Sequence, residues 1–398
     1  MTGLYIHIPF CVKKCRYCDF VSYPLSALEK MTGDAATRPF ASRGSMVEAY
    51  GRALAAEAEM ASSLLSRPMI DTVFIGGGTP SVTGGGFISA LMAHMRKSFD
   101  IKPNAEITVE ANPGTVDEEK LTEYIRAGVN RLSLGLQSTN DALLKRIGRV
   151  HTFEDFRSAV KDAKRAGFKN INVDLMQGLP GQTIEDCIKD VSIVADEGVT
   201  HISAYSLILE EKTPLFFDVK GGRENLPDDD ETADMQDAAE ERLEKLGFMK
   251  YEVSNYARKG YECRHNLNYW ENGEYIGIGA AAHSCISVGG ERIRKANMTA
   301  LDKYIEACAN GVLPETERKV ISRDEEMFET IMLGLRTVRG IDMKAFKKRF
   351  SCDISDRYNM EIARLTDKEL IEISGGFLRT TRRGAELLNA VTLEFMKQ

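Results

Sequence analysis

Cys11-Val-Lys-Lys-Cys15-Arg-Tyr-Cys18 is the most informative segment of this 398-residue chain. Thiolates are soft ligands that favour zinc or iron–sulfur clusters. Three of them on one short loop can hold three irons of a [4Fe–4S] cube, which leaves the fourth iron open to a further ligand. A structural zinc site is the alternative, but it usually needs four ligands in two paired groups. The other local Cys/His pair, Cys263 and His265, is far along the chain, so the spacing favours the cluster.

The composition is typical of an ordinary globular protein. Hydrophobic residues make up 43% of the chain and charged residues 28%, and the length suggests two or three domains. The net charge of −7 gives no general attraction to anionic membranes or to nucleic acid, so no nucleic-acid partner is expected. No apolar run is long enough to span a bilayer, and no apolar signal region precedes Cys11. Eight cysteines without a regular framework predict a reducing, cytoplasmic location.

Short apolar runs alternate with amphipathic helical patterns along the first half of the chain. The runs rich in Val, Ile and Leu that we predict to be strands are Leu4–Ile8, Thr72–Ile75, Glu106–Glu110, Arg131–Leu136, Asn170–Leu175 and His201–Leu207. Four predicted helices end in a glycine just before the next strand, at Gly128, Gly167, Gly198 and Gly247. Repeated βα units imply a parallel sheet. Six of them predict an α/β fold built as an incomplete (β/α)6 barrel.

Changes of pattern divide the chain into three predicted regions. The barrel is predicted to span residues 1–220, a connecting region 221–315, and a C-terminal module 316–398. Within the barrel, the polar segment from Tyr23 to Ser45 lacks periodicity and is predicted to be a long surface loop. In the module, Ser322 and Glu325 form a capping box, and Gly375-Gly376 separates two short apolar runs as in a hairpin. This combination predicts a smaller, mostly helical domain with winged-helix character.

The carboxyl ends of the strands are where α/β barrels place their chemistry. The cysteine loop follows the first predicted strand, and Gly76-Gly-Gly-Thr-Pro80 follows the second. Four polar residues end or follow later strands: Glu110, Gln137, Arg149 and Asp174. Glycines let the backbone approach a ligand, carboxylates bind ammonium or ribose hydroxyl groups, and an arginine can fork onto a carboxylate. Each of these four residues alone is more often a surface group or a member of a salt bridge, but their common position predicts one binding site.

Several motifs together resemble one known family. The matching segments are Tyr5-Ile-His-Ile-Pro-Phe-Cys11, Tyr17-Cys18-Asp-Phe20, Gly76-Gly-Gly-Thr-Pro80, Leu136-Gln137 and Gly178-Leu-Pro-Gly181. Over nearly the whole chain they resemble the oxygen-independent coproporphyrinogen III oxidase family of radical S-adenosylmethionine (SAM) proteins. In that superfamily a cluster passes one electron to SAM, and a 5′-deoxyadenosyl radical results. The resemblance therefore implies a [4Fe–4S] cluster, SAM, and an electron donor that reduces the cluster.

The same resemblance implies roles for individual residues. The cluster would be held by Cys11, Cys15 and Cys18. One SAM position would be lined by Tyr5, Gly77 and Glu110. A second SAM position described for the family would be lined by Tyr17, Gly78, Thr79, Gln137, Arg149 and Asp174.

Two departures point away from the oxidase itself. The oxidases resemble Cys-x3-Cys-x2-Cys-x-Cys after a longer leading segment, whereas here Phe20 occupies the fourth position and ten residues precede Cys11. Both features resemble the heme-chaperone (HemW-like) branch. His265-Asn-Leu-Asn-Tyr-Trp270 matches a motif of that branch, which implies heme binding with His265 as axial ligand. From the residues alone, the alternative is a loop in which His265 caps a turn and Trp270 fills the core.

Heme-binding chaperone is the predicted function. Such a protein would accept heme near His265 and deliver it to a heme-accepting apoprotein, while the cluster and SAM control the holo state or the transfer. The enzymatic alternatives are oxidative decarboxylation of coproporphyrinogen III, which is not expected, and another radical SAM reaction on heme. A zinc-stabilised interaction protein is the alternative without redox chemistry.

Overall fold

The computed structural model describes residues 1–31 and 43–396. Its strands are β1 (Thr2–Ile8), β2 (Phe10–Cys11), β3 (Tyr23–Pro24), β4 (Met69–Gly77), β5 (Asp100–Ala111), β6 (Arg131–Gln137), β7 (Asn170–Gln177), β8 (His201–Ser206), β9 (Met249–Glu252), β10 (Asn255–Ala257), β11 (Glu274–Ile278), β12 (His283–Val288), β13 (Glu291–Asn297), β14 (Glu315–Ile321), β15 (Ile341–Asp342), β16 (Ile371–Ser374) and β17 (Phe377–Thr380).

Helices connect most of these strands. They are α1 (Leu25–Met31), α2 (Arg43–Leu64), α3 (Gly85–Ser98), α4 (Glu118–Arg126), α5 (Asp141–Arg146), α6 (Phe153–Ala166), α7 (Ile184–Asp196), α8 (Pro214–Lys220), α9 (Asp229–Lys245), α10 (Arg264–Trp270), α11 (Leu301–Ala309), α12 (Arg323–Gly334), α13 (Met343–Phe350), α14 (Ile354–Arg357), α15 (Asn359–Asp367), α16 (Arg382–Glu386) and α17 (Leu388–Leu393). Within the two described ranges, no helix has both the length and the apolarity to cross a membrane.

Six parallel strands form the centre of the fold, in the order β1-β4-β5-β6-β7-β8. Five of them contain a predicted strand in full, and β8 contains all of its predicted strand except Leu207, so the prediction of six strands is confirmed. The outer neighbour of β1 is β11, and that of β8 is β10, so the six strands do not close on themselves. The architecture is therefore the incomplete α/β barrel predicted from the six βα units.

Both edges of the barrel sheet continue into further strands. On one side β11 pairs with β1 in parallel, and β12, β13 and β14 follow in antiparallel order. On the other side β10 and β9 add an antiparallel pair. This extension was not predicted from the sequence. The domain limits 1–220, 221–315 and 316–398 stay predictions.

Alternation along the strands separates the core from the inside of the barrel. In β1, Leu4, Ile6 and Ile8 are fully buried in the apolar layer between sheet and helices. The side chains of Tyr5 and His7 point to the other face of the sheet, because successive side chains of a strand point to opposite faces. The apolar runs thus fix the sheet, and the polar residues between them line its inner face.

Glycine caps end the helices where the sequence predicts them. Gly167, after α6, has a φ of +108°, and the corresponding φ of Gly128 after α4 is +92°. This left-handed backbone is accessible to glycine at little cost and turns the chain sharply at the helix end. The next strand then starts within a few residues, which aligns the carboxyl ends of the parallel strands.

The surface loop predicted for Tyr23 to Ser45 is wrong where the structure describes it. Tyr23–Pro24 forms β3 and pairs in parallel with β2, and Leu25–Met31 forms α1. Leu28 of this short helix is fully buried in the core, and that burial supplies the stability that a seven-residue helix lacks by itself. The α2 helix already begins at Arg43. Residues 32–42 lie outside the described residues.

The C-terminal part has an apolar core of its own. Its buried members include Ile331, Phe346, Ile354, Leu378 and Val391. The predicted capping box at the start of α12 is present, and the predicted hairpin forms as β16 and β17 around Gly375-Gly376. With β15 they make a three-stranded sheet beside the helices. Its winged-helix character stays a prediction.

Candidate functional site

A cavity of about 420 Å³ opens at the carboxyl ends of the parallel strands. All predicted site residues line it except Tyr5 and His265. The predicted residues in its wall are Cys11, Cys15, Tyr17, Cys18, Gly77, Gly78, Thr79, Glu110, Gln137, Arg149 and Asp174. The structure thus brings together residues that are separated by up to 163 positions in the chain.

Backbone hydrogen bonds on both sides anchor the cysteine loop. The amide N–H of Arg16 donates to the carbonyl oxygen of Ile147 at 3.0 Å, and the amide of Leu215 donates to the carbonyl of Arg16 at 2.9 Å. The guanidinium of Arg16 also forms an ion pair with Asp218. The loop is therefore held between the end of α5 and the start of α8, and Arg16 is a site-supporting residue that the sequence analysis missed.

Two hydrogen bonds point at the cysteine sulfurs. The hydroxyl of Thr79 donates to Sγ of Cys11 at 3.6 Å, and Nη1 of Arg149 donates to Sγ of Cys15 at 3.5 Å. Donors of this kind stabilise negative charge on sulfur and tune the potential of an iron–sulfur cluster. The donor set therefore fits a thiolate-bound cluster, which the three cysteines would hold.

Protonation of the cysteines also bears on cluster binding. Burial raises the pKa of the Cys11 and Cys18 thiols, so cluster assembly has to displace their protons.

Within residues 1–31 and 43–396, no three His, Cys, Asp or Glu side chains are arranged to hold a single metal ion. A tetrahedral zinc site would bring its thiolates to within about 4 Å of one another. The cysteine loop does not show that arrangement.

The glycine run lets the end of β4 pack tightly against the cysteine loop. Gly77 has a φ of +110°, and a Cβ there would lie 2.4 Å from the ring of His7. A Cβ on Gly78 would lie 2.7 Å from the carbonyl oxygen of Phe10. The amide of Thr79 donates to that same oxygen at 2.7 Å. Close packing alone therefore demands glycine at these positions, and their predicted contact with SAM stays a prediction.

Two carboxyl groups face the interior of the site from β5 and β7. Desolvation raises the pKa of Glu110 to about 7, and the nearby negative charge of Asp174 adds to this effect. The backbone amide of Gly77 donates to the Glu110 carboxyl group at 3.2 Å, and the side-chain amide of Asn172 donates to the Asp174 carboxyl group at 2.8 Å. A cation between these carboxyl groups would favour their charged forms. The pair therefore suits the positively charged groups of SAM.

Arg149 and Gln137 are held by residues that the sequence analysis did not select. Nη2 of Arg149 donates to Oδ1 of Asn112 at 2.6 Å, and Asn112 in turn donates to the Thr79 hydroxyl at 2.9 Å. Gln137 has a φ of +78°, unusual for a residue with a side chain, and it accepts from the Tyr205 hydroxyl at 3.0 Å. Asn112 and Tyr205 also line the cavity, and their positions at strand ends were the available signal.

Tyr5 is half-buried and is not part of the cavity wall. Its hydroxyl is 3.0 Å from Nδ1 of His7, and its ring stacks on Phe74 with 6.4 Å between the ring centres. Desolvation raises its pKa, and the negative charge of Glu110 contributes further. Tyr5 is thus close enough to Glu110 to feel its charge, although it is not part of the cavity wall.

His265 lies at the opposite end of the barrel from the cysteine loop. It is 1% exposed, and a Cβ on Gly3, at the start of β1, would lie 3.0 Å from its ring. Its Nδ1 is 2.8 Å from the Thr72 hydroxyl, and its Nε2 is 3.1 Å from the Tyr269 hydroxyl. Burial lowers its pKa to about 3. In this arrangement both ring nitrogens are occupied.

The helix that carries His265 is fixed to the barrel by a carboxylate. Glu106 of β5 accepts hydrogen bonds from the amides of Arg264 and His265 at 3.1 and 3.0 Å. These are the first amides of α10, which lack partners within the helix. The His265 ring also stacks on Phe74, with ring centres 5.2 Å apart. The motif therefore packs at the amino-terminal end of the barrel strands.

Comparison with known proteins assigns the class first. The sequence profile of the Radical SAM superfamily matches residues 5–192, and that of the HemN C-terminal domain matches residues 321–387. The structure is similar to that of coproporphyrinogen III oxidase (HemN) from Escherichia coli, a radical SAM enzyme, with a TM-score of 0.81 and 22% sequence identity. This match covers 99% of this chain and 89% of the oxidase chain, so the two proteins share a fold.

Curated relatives then assign the family. The chain is 34% identical over 395 residues to "Heme chaperone HemW" of Lactococcus lactis, covering 99% of this chain and 97% of that protein. It is 35% identical to the protein of that name from Bacillus subtilis, over 100% of this chain and 99% of the relative. The corresponding Escherichia coli protein is 38% identical over 84% of this chain and 82% of its own length. This chain belongs to the HemW family of radical SAM proteins.

Proposed function

We propose that this protein is a heme chaperone that binds heme and delivers it to an acceptor apoprotein. The observation that carries the proposal is the similarity, at 34% and 35% identity over essentially the whole chain, to relatives named heme chaperone HemW. The resident cofactors are a [4Fe–4S] cluster and SAM. When bound, the cluster would supply an open iron that binds SAM and a centre that an electron donor can reduce.

The cavity supports this cofactor assignment residue by residue. The cluster would be held by Cys11, Cys15 and Cys18, with Arg149 and Thr79 as donors to sulfur. SAM would contact residues that share the cavity with the three cysteines: Tyr17, Gly77, Gly78, Thr79, Glu110, Gln137, Arg149 and Asp174. Tyr5 would line one SAM position together with Gly77 and Glu110, and the negative charge of Glu110 acts on its hydroxyl.

Phe20 favours the chaperone over the oxidase. Its side chain is 69% exposed at the edge of the cavity, where the oxidase pattern has a fourth cysteine. A phenylalanine offers neither a ligand nor a proton donor at that position, whereas an exposed aromatic face suits contact with an apolar ring or a partner protein. Decarboxylation of coproporphyrinogen III is therefore the less favoured function.

His265 as the axial heme ligand remains a proposal that carries a structural condition. Because Thr72 and Tyr269 occupy both ring nitrogens, iron could bind His265 only after α10 separates from β1 and β4. A heme that uses His265 as its axial ligand would therefore bind an opened form of α10 and not its closed arrangement.

The cytoplasm is the proposed location. None of the eight cysteines, all within the described residues, forms a disulfide, which fits a compartment where thiols stay reduced. The heme acceptor and the electron donor are then proteins of that compartment or of a membrane that faces it.

The proposed function is tested with anaerobically reconstituted protein. Titration with ferric heme, followed by mixing with a heme-free acceptor hemoprotein, should show binding by a Soret band and then transfer of that band to the acceptor. A parallel incubation with coproporphyrinogen III, SAM and a reductant should give no protoporphyrinogen. Absence of heme binding, or formation of protoporphyrinogen, would overturn the proposal.

A further inference from the structure

A chain of buried hydrogen bonds connects the cluster cavity with the opposite end of the barrel. It starts at Asp174, whose Oδ1 accepts from the side-chain amide of Asn172 at 2.8 Å. Oδ1 of Asn172 lies 2.5 Å from Nδ1 of His201, and Nε2 of His201 lies 2.8 Å from the Tyr251 hydroxyl. The chain ends at α10, because the backbone amide of Cys263 donates to the Tyr251 hydroxyl at 3.2 Å.

All donors in this chain point the same way. His201 is fully buried, and desolvation together with the positive charge of Arg131 lowers its pKa, so its ring is uncharged at neutral pH and carries one N–H. The side-chain oxygen of Asn172 can only accept, which places that N–H on Nδ1 and leaves Nε2 to accept from the Tyr251 hydroxyl. From α10 to the cavity, each group therefore donates to the next, and each bond of such a chain polarises its neighbour.

Two groups hold the start of α10. Glu106 accepts from the first two amides of the helix at 3.1 and 3.0 Å, and from Sγ of Cys263 at 3.5 Å. The Tyr251 hydroxyl holds the amide of Cys263, the residue directly before the helix. Because this second anchor leads through hydrogen bonds to Asp174, the charge on that carboxyl group bears on how firmly α10 is held.

We propose that Asn172, His201 and Tyr251 are positioning residues, which loosen the hold on α10 when SAM occupies the cluster cavity. This inference rests on the proposed function, in which Asp174 contacts SAM. SAM carries hydroxyl and ammonium donors, and a donor on the carboxyl group withdraws negative charge from the oxygen that Asn172 contacts. That oxygen then accepts less strongly, and each following bond weakens up to the start of α10.

The chain thereby ties the state of α10 to the SAM site. Opening of α10 is the condition for iron to reach His265, so the proposed heme ligand becomes available more often in the SAM-bound protein. Coupling between two sites is reciprocal. A ligand that favours the opened form of α10 should therefore raise the affinity for SAM by the same factor.

Hydrogen exchange of the α10 amides, read by mass spectrometry of the cluster-containing protein with and without SAM, tests the inference without heme. In wild type, SAM should speed this exchange at least about fivefold, the lower end of the range typical of coupled sites. Tyr251→Phe removes one hydroxyl and breaks the chain, so its α10 should exchange faster without SAM and should not respond to SAM. Tyr256→Phe, which removes another buried hydroxyl, 3.0 Å from Glu240, should respond as wild type does.

SAM affinity, measured by calorimetry on the same samples, separates the possible failures. Tyr251 is not part of the cavity wall, so Tyr251→Phe should still bind SAM. A wild-type protein that binds SAM without faster exchange of α10 would overturn the inference and leave the proposed function standing. A SAM response that persists in Tyr251→Phe, shown to be folded by circular dichroism, would also overturn it, because a merely structural hydroxyl would leave that response intact. A wild-type protein that binds no SAM would overturn the cofactor assignment, and this inference with it.

Discussion

Glu57 is a buried carboxyl group whose titration should be visible in the stability of the whole barrel. It lies on α2, is 2% exposed, and joins this helix to the loop after β11. The backbone amide of Gly279 donates to it at 2.8 Å, the side-chain amide of Asn297 at 2.5 Å, and the hydroxyl of Tyr304 at 2.5 Å. Burial outweighs these three donors and raises its pKa from 4.5 to about 7.

The raised pKa fixes both the sign and the size of the effect. Between pH 4.5 and 7 the folded state binds more protons at Glu57 than the unfolded state does, so the free energy of unfolding falls as pH rises. The 2.5-unit difference, at about 1.36 kcal/mol per unit, corresponds to about 3 kcal/mol in total, of which about 2 kcal/mol is lost between pH 5.5 and 8. For a chain of 398 residues this loss lowers Tm by about 2 °C.

Glu57→Gln removes the titration and keeps the side-chain shape. At pH 5.5 the variant should be less stable by about 1–3 kcal/mol, because its NH₂ group accepts no hydrogen bond, whereas both oxygens of the protonated Glu57 carboxyl group still can. As pH rises to 8, the difference in Tm between wild type and variant should shrink by about 2 °C. Differential scanning fluorimetry across this range measures it, with Glu59→Gln, an exposed residue on the same helix, as control. A Tm difference that stays constant from pH 5.5 to 8 would refute the reasoning.

Three further predictions follow from the site and from the motif at the other end of the barrel. Gly77→Ala should lower the free energy of unfolding by about 1–3 kcal/mol, because the φ of +110° at Gly77 and the nearby His7 ring both disfavour a side chain. The variant should also bind less iron. Tm and iron analysis measure these two effects. SAM affinity should rise about tenfold from pH 6 to 8 as Glu110, with a pKa of about 7, becomes charged, whereas calorimetry of Glu110→Gln should show a flat profile. His265→Ala should lower the free energy of unfolding by about 2–4 kcal/mol, because it leaves a cavity and removes two hydrogen bonds. This loss should be measured as a lower Tm. An unchanged Tm would show that the His265 ring does not hold α10 in place.

The barrel and its site could be predicted from the sequence because their signals are local. Runs such as Leu4–Ile8 predict strands, and parallel strands bring their carboxyl ends to one edge, so strand order alone places Glu110 and Asp174 together. The cysteine loop can be recognised from the spacing of its three cysteines alone. For these elements the local pattern and the global fold agree, which is typical of well-specified structures.

The missed features depend on contacts between distant parts of the chain. The parallel pairing of β11 with β1 joins residues about 270 positions apart, and the five residues of Glu274–Ile278 give no local sign of it. Helix α1 was missed because its stability comes from burial of Leu28 in a distant core. The position of His265 shows the same limit, since a short motif does not reveal which end of a barrel it occupies.

The cluster is the feature on which the proposed function depends most, and one anaerobic sample tests it directly. Iron and sulfide analysis of the reconstituted protein, combined with electron paramagnetic resonance of the reduced form with and without SAM, reports both the cluster and its open iron. We expect four irons and four sulfides per chain and a reduced-cluster signal that changes when SAM is added. Zinc in place of iron, or a cluster whose signal is indifferent to SAM, would contradict this assignment.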